Sequence, residues 1–322
     1  MDINVLYCID EYKKDYARNL WVSMISLLKN NKLHNIHIYI ISSTLDKNNR
    51  LELERIASEF WTNIIFSKGE IIPKNIQKIL QLDRLGVAAF YRLFYKNCFP
   101  NIKDKLLYLD CDTIICWDIS QFYSDDLWDN LVAWTLDIPW FRYLRWKQIW
   151  VDYKEYINSW VLIFNVWEFN KLDIWKEIIE INKTTRIYSA DQDYINIIAK
   201  NRKKLINIQT LVHRKFWINM DATPILHTVN KPFLMYSNCP QNIKSLYNNY
   251  LKETKRKDDK EEWKKSIKNF LSRCWSLIWD FYDYLTSFFW EKVQIINYLF
   301  MLKYLRFLVF IKNFFWYNNK KI

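Results

Sequence analysis

Apolar positions in the first part of the chain follow two alternating rhythms. Short runs at Ile3 to Cys8, His37 to Ser42, Asn63 to Phe66 and Lys105 to Leu109 read as strands. Between them, Tyr16 to Leu28 puts Leu20, Met24, Leu27 and Leu28 on one helical side, and Asn48 to Glu59 and Phe90 to Asn97 are also helical. Strands at Leu131 to Thr135 and Val161 to Asn165 follow, then a helix over Asp173 to Asn182 and a helical run from Tyr194 to Ile198. Lys200 to Ile206 leads into a loop-rich stretch ending at Pro240. This alternation predicts an α/β fold, a mostly parallel sheet with helices on both faces. In such sheets ligands bind beyond the carboxyl ends of the strands. After Pro240 the chain turns helical, charged and then strongly aromatic. A main domain over 1–240 and a helical C-terminal appendage over 241–322 are therefore expected.

Charge sharpens that division. The net charge is +12, and from Lys244 onward 16 Lys and Arg stand against 8 Asp and Glu. A basic tail seeks polyanions, but a nucleic-acid binder should carry its footprint on the main domain. No nucleic-acid partner is expected. Val293 to Phe315 interleaves Ile296, Leu299, Phe300, Phe307, Leu308, Ile311 and Phe314 with Lys292, Lys303, Arg306 and Lys312. Those charges argue against a spanning helix and for one lying in the headgroup plane of an anionic membrane. A helix docked on the main domain is the competing reading. The start shows no basic, apolar leader pattern, and the six cysteines form no CxxC pair. Both fit a cytoplasmic protein, which the C-terminal helix would hold peripherally on the inner face of the cytoplasmic membrane.

Composition holds an anomaly. Average usage of ~7% would give about 22 glycines in such a chain, yet it has 2, with 17 tryptophans. Trp117 follows a strand, Trp128 sits between Asp126 and Asp129 in a polar turn, and Trp160 precedes a buried run. Such places favour a residue without a side chain. Many of these tryptophans are expected to be glycines, from UGA codons translated as Trp where the source organism reads Gly. A few, such as Trp175 in a helical pattern, fit as written; a truly Trp-rich chain is the alternative.

The chemistry centres on Leu106-Leu107-Tyr108-Leu109-Asp110-Cys111-Asp112. A buried strand ends in two carboxylates at i and i+2, which point to the same side. Oxygen ligands of this kind suit Mn²⁺ or Mg²⁺, ions that share their coordination with a diphosphate. Asp191-Gln192-Asp193 opens a helix, where acids also serve as caps. His227 follows Ile225-Leu226, with Lys231-Pro232 just beyond. Such a His is usually a core or turn residue, and becomes a ligand only if folded onto Asp110 and Asp112.

Taken in order, these pieces resemble glycosyltransferase family 8, the retaining hexosyltransferases that include lipopolysaccharide glucosyl- and galactosyltransferases. Tyr91-Arg92-Leu93, Asn158-Ser159-Trp160-Val161-Leu162 and Trp21 within Leu20-Trp21-Val22-Ser23 join the set, which spans about residues 3 to 236. Trp21, Trp117 and Trp160 stand where that family often has Gly. The resemblance implies a GT-A nucleotide-diphospho-sugar transferase fold, a Rossmann-like mixed sheet, acting on a UDP-hexose with Mn²⁺ (or Mg²⁺). By the same resemblance Asp110, Asp112 and His227 hold the metal. Asp10, Tyr16, Arg92, Cys111 and Lys231 meet the nucleotide, and Arg92, Asp137, Asn158, Asp191 and Gln192 surround the sugar. Asp191 and Gln192 are the catalytic candidates. The short Thr228-Val229-Asn230 spacer departs from the family pattern and weakens the case for Lys231. The implied acceptor is a glycan or lipid-linked glycan in lipopolysaccharide or surface-polysaccharide synthesis. The competing readings are a silent nucleotide-sugar-binding protein of the same fold and a Mg-dependent phosphatase.

Overall fold

The computed structural model describes residues 1–255 apart from 12–15, 70–71, 73–76, 81–85, 138, 207–210, 213–222 and 228–240. The chain divides into two compact units, Met1–Arg273 and Cys274–Ile322, and every element below lies in the first. Lys231 and the stretch Val293 to Phe315 lie outside the described residues.

The main sheet is built from β1 (Asp2–Cys8), β2 (Asn35–Ser42), β3 (Asn63–Lys68), β4 (Lys105–Leu109), β6 (Val132–Trp134), β7 (Val161–Asn165) and β8 (Lys203–Leu205), in the order β3-β2-β1-β4-β7-β6-β8. Only β7 runs against its neighbours β4 and β6. A smaller sheet joins β5 (Thr113–Ile115), β10 (Ile225–His227) and β9 (Leu211–Val212), with β10 in the middle. The longer helices are α1 (Ala17–Asn30), α2 (Lys47–Glu59), α3 (Pro139–Ile149), α4 (Ile174–Thr184), α5 (Ala190–Ile198) and α6 (Gln241–Leu251).

Sequence pattern accounts for most of this. Strands β1 and β4 lie in the core, and Val5, Leu6, Leu106, Leu107 and Leu109 are fully buried, as strands covered on both faces must be. Helix α2 starts at Asp46, whose carboxylate accepts from Asn49 N at 2.8 Å, supplying one of the orphan donors of the first turn. The stretch expected as one helix from Phe90 to Asn97 is broken into Ala88–Tyr91, a 3-10 turn Arg92–Phe94 and Tyr95–Cys98. Strand β8 lies in the stretch read as an approach to a loop. Helix α6 packs on α1, where Tyr247 OH donates to Asn19 Oδ1 at 2.8 Å. Among the described residues, no helix is long and apolar enough to cross a membrane.

The backbone makes specific demands for glycine. Gly86 has φ 71°, and a Cβ on Gly69 would collide with the Tyr91 ring. Trp61, Trp128 and Trp150 also have left-handed backbones, with φ of 55°, 50° and 58°, and their side chains are largely exposed. For a bulky residue that region is a true outlier. Trp61 follows α2 at the site where Thr62 N bonds Ala57 O (2.9 Å) and Trp61 N bonds Ser58 O (3.1 Å). That is the Schellman pattern, whose left-handed position is usually glycine. Trp128 is the first central residue of the turn closed by Asn130 N to Leu127 O at 2.9 Å, where a positive φ again favours Gly, Asn or Asp. Trp117 is not among these residues, and Trp21 is buried within α1. Trp175 stacks on Phe94 at 3.8 Å, as expected of a tryptophan that belongs there.

Candidate active site

Strand order reverses between β1 and β4, so the chain's carboxyl-end crevice opens at Asp10 and Asp110. This is the topological switch point at which doubly wound sheets bind ligands. Past β4 the chain turns sharply. Thr113 N bonds Asp110 O at 3.2 Å, and Thr113 Oγ1 donates to the same carbonyl at 2.8 Å. Buried hydroxyls carry the support inward, from Thr113 Oγ1 to Ser23 Oγ (2.9 Å) and on to Tyr7 OH (3.1 Å). Strand β5 then pairs antiparallel with β10, setting His227 opposite Thr113.

That pairing converts a distant His into a neighbour of the two acids. His227 Nε2 lies 3.4 Å from Asp110 Oδ2 and 3.2 Å from Asp112 Oδ1. The potential ligand atoms of Asp110, Asp112 and His227 all lie within 4.8 Å of one another. Burial opposes a charge on His227, but Asp112 and Asp110 prevail and raise its pKa to about 9. Burial likewise opposes the charge on Asp110, yet Arg92 and His227 hold its carboxyl down at about 2. Two converging carboxylates favour a cation beside them. Two oxygens and one imidazole nitrogen fit Mn²⁺ or another divalent ion.

Arg92 ties this group to the DQD segment. It reaches Asp110 Oδ1 at 3.2 Å through NH2 and Asp191 Oδ2 at 3.3 Å through Nε, while its plane lies 3.8 Å over the Tyr108 ring. The Arg92–Asp191 contact is an ion pair without hydrogen-bond alignment, since Arg92 Nε and Asp191 Oδ2 find no partner of good geometry. Burial raises the Asp191 carboxyl to about 7 in spite of Arg92. Gln192 is held from both ends: Nε2 donates to Asp137 Oδ2 (2.6 Å) and Tyr156 OH (3.0 Å), while Oε1 accepts from Ser159 N (3.1 Å).

The two acids flanking Gln192 have separate roles. Asp193 folds back on the residues before the helix, accepting from Tyr188 N and Ser189 N at 2.8 Å each and from Tyr156 OH at 2.7 Å. Asp191 faces the arginine. Asn158 donates to Thr135 Oγ1 at 3.2 Å and accepts from Trp160 N at 3.3 Å. Asp10 accepts from Ser43 N (3.1 Å) and Tyr91 OH (3.3 Å). Burial, then Asp112, pushes the Tyr16 phenol well above its ordinary range. The Cys111 thiol turns into the core and donates to Cys8 O at 3.3 Å. Ser159 and Tyr156 were not singled out from sequence; a buried phenol beside a Gln has no signature in a linear chain.

The family model "Glycosyl transferase family 8" matches residues 4–214. The chain belongs to glycosyl transferase family 8. A lipopolysaccharide 1,2-glucosyltransferase of Escherichia coli is 25% identical over 308 residues, 85% of this chain and 89% of the relative. The galactosyltransferase LgtC, solved with donor and acceptor sugar analogs, superposes with a TM-score of 0.64 at 18% identity, covering 79% of this chain and 96% of that one. The bifunctional glycosyltransferase WbbM gives the same TM-score at 16% identity over 79% of this chain, which spans only 50% of WbbM. These likenesses fix the GT-A type of fold. Membership of this family displaces the phosphatase alternative, and the protein is a glycosyltransferase.

Proposed function

We propose that this family 8 member transfers a hexose, glucose or galactose, from a UDP-sugar to a glycan or lipid-linked acceptor with retention of configuration. The E. coli relative supports lipopolysaccharide or surface-polysaccharide synthesis as the setting. The observation that carries the reading is the convergence of Asp110, Asp112 and His227 at the sheet's switch point, beside Arg92, Asp191 and Gln192.

Asp110, Asp112 and His227 would hold Mn²⁺ (or Mg²⁺). When bound, such an ion offsets charge developing on a diphosphate leaving group. Asp10 and Tyr16 would meet the nucleoside. Asp137, Asn158, Asp191 and Gln192 would surround the hexose, with Gln192 fixed by three partners and thus oriented before the substrate arrives. Arg92 keeps Asp110 ionised and is buried itself, so its part is positioning the two carboxylates. The Gln192 carboxamide and Asp191 carboxylate would steady positive charge at the anomeric carbon. Residues 1–240 would supply this catalysis. The basic, aromatic stretch within 241–322 would hold the protein to an anionic membrane surface, near a lipid-linked acceptor. UDP release from a panel of UDP-sugars, with and without Mn²⁺, tests the donor class. Release from a single UDP-hexose only when Mn²⁺ is present is expected; binding with no release from any UDP-sugar favours the silent protein.

A further inference from the structure

Trp160 lies against one member of the metal group. Its ring stacks on His227 with centroids 4.5 Å apart and planes 26° from parallel. The backbone of residue 160 serves the site without any side chain. Its carbonyl accepts from Asp110 N at 2.8 Å, and its N–H donates to Asn158 Oδ1 at 3.3 Å. The indole adds only bulk, laid over the face of an imidazole whose Nε2 is directed at the two acids. Separately, Trp61, Trp128 and Trp150 occupy left-handed backbone positions, one of them in a Schellman pattern that normally takes glycine. Both glycines of the chain stand where glycine is required: Gly86 has a positive φ and Gly69 lies against Tyr91. The demand for glycine exceeds the two that the sequence supplies.

We infer that residue 160 gates the metal group and is glycine in the working protein, its codon, like those of residues 61, 128 and 150, being a UGA read as glycine. Glycine keeps both backbone hydrogen bonds and uncovers the face of His227. Tryptophan keeps the bonds and covers it. The gating part rests on the metal-and-donor reading above; the decoding part does not.

Two measurements separate these parts. Peptide mass mapping of the protein isolated from its source organism reads residues 61, 128, 150 and 160 directly. The mass of glycine at all four is expected, and tryptophan at 160 overturns the decoding whatever the protein does. For the gate, two proteins are compared that both carry Trp61→Gly, Trp128→Gly and Trp150→Gly and differ only by Trp160→Gly. Mn²⁺ uptake is followed by loss of the free-ion paramagnetic resonance signal, and circular dichroism confirms that both are folded. The protein with Trp160→Gly should bind Mn²⁺ more tightly by up to about tenfold, the worth of one lost aromatic stack. Equal affinity overturns the gate while leaving the metal reading standing. No uptake by either overturns both the gate and the metal reading.

Discussion

His227 Nε2 stands 3.2 Å from Asp112 Oδ1 because β10 pairs with β5 and sets His227 opposite Thr113. A pairing of three residues therefore assembles a metal-binding group from two remote parts of the chain.

Metal binding should displace a proton. With the His227 pKa raised to about 9 by the neighbouring acids, the ion-free protein holds an imidazolium at neutral pH, and an ion must exchange with that proton. Mn²⁺ affinity is expected to climb by about tenfold per pH unit below that value, with proton release on titration. Calorimetry in buffers of different ionisation enthalpy measures it; an affinity flat with pH counts against His227 as a ligand.

Stability without metal should carry the same signature. The folded pKa of His227 lies above its unfolded value, so its contribution is full below the unfolded value of 6.5 and fades as pH rises through about 9. Asp191 acts in the same direction. Its carboxyl is raised to about 7 from 3.8, so the folded state binds the extra proton and stability falls as pH rises across that window. Thermal melts of the ion-free protein should therefore decline from mildly acidic to alkaline pH. A His227→Ala variant should lose the alkaline part of the decline, and Asp191→Asn the part ending near 7. Unchanged profiles would contradict the assignments.

The strained tryptophans give a further prediction. Left-handed backbone costs a residue with a side chain roughly 1–2 kcal/mol. Trp61→Gly, Trp128→Gly and Trp150→Gly should each stabilise the protein by about 1 kcal/mol, less the loss from added chain entropy. Urea denaturation of each single variant checks this. Trp175→Gly, by contrast, should destabilise, because it removes the stack on Phe94.

Membrane attachment is tested by co-sedimentation with vesicles containing anionic lipid. The comparison should be between the full chain and one ending at Arg273, because a cut at Pro240 would remove α6 from its seat on α1. The full chain should pellet and the shortened one should not. Equal binding would sink the attachment.

Strands β1 and β4 were legible because burial on both faces writes near-continuous apolar runs, as in Ile3 to Cys8 and Lys105 to Leu109. The paired carboxylates were legible because they end such a run. Strands β5 and β10 were not, since three residues carry no period. Helix α3 was missed because Pro139 to Ile149 mixes Trp, Phe, Tyr, Arg and Lys without a clean apolar stripe. Strand β8 hides in Lys203-Lys204-Leu205, where the lysines mark a sheet edge. At the site, Asp110 and Asp112 could be singled out by spacing, and Asp191 and Gln192 by the family resemblance. Tyr156 and Ser159, the partners that fix Gln192, are defined only by long-range contacts.

The central claim is that Asp110, Asp112 and His227 hold the ion on which sugar transfer depends. The most direct measurement is Mn²⁺-dependent UDP release by the protein with glycine at positions 61, 128, 150 and 160, set beside the same protein carrying Asp110→Ala. A loss of at least about 100-fold with the fold intact is predicted. An unchanged Mn²⁺-dependent rate in Asp110→Ala would contradict it.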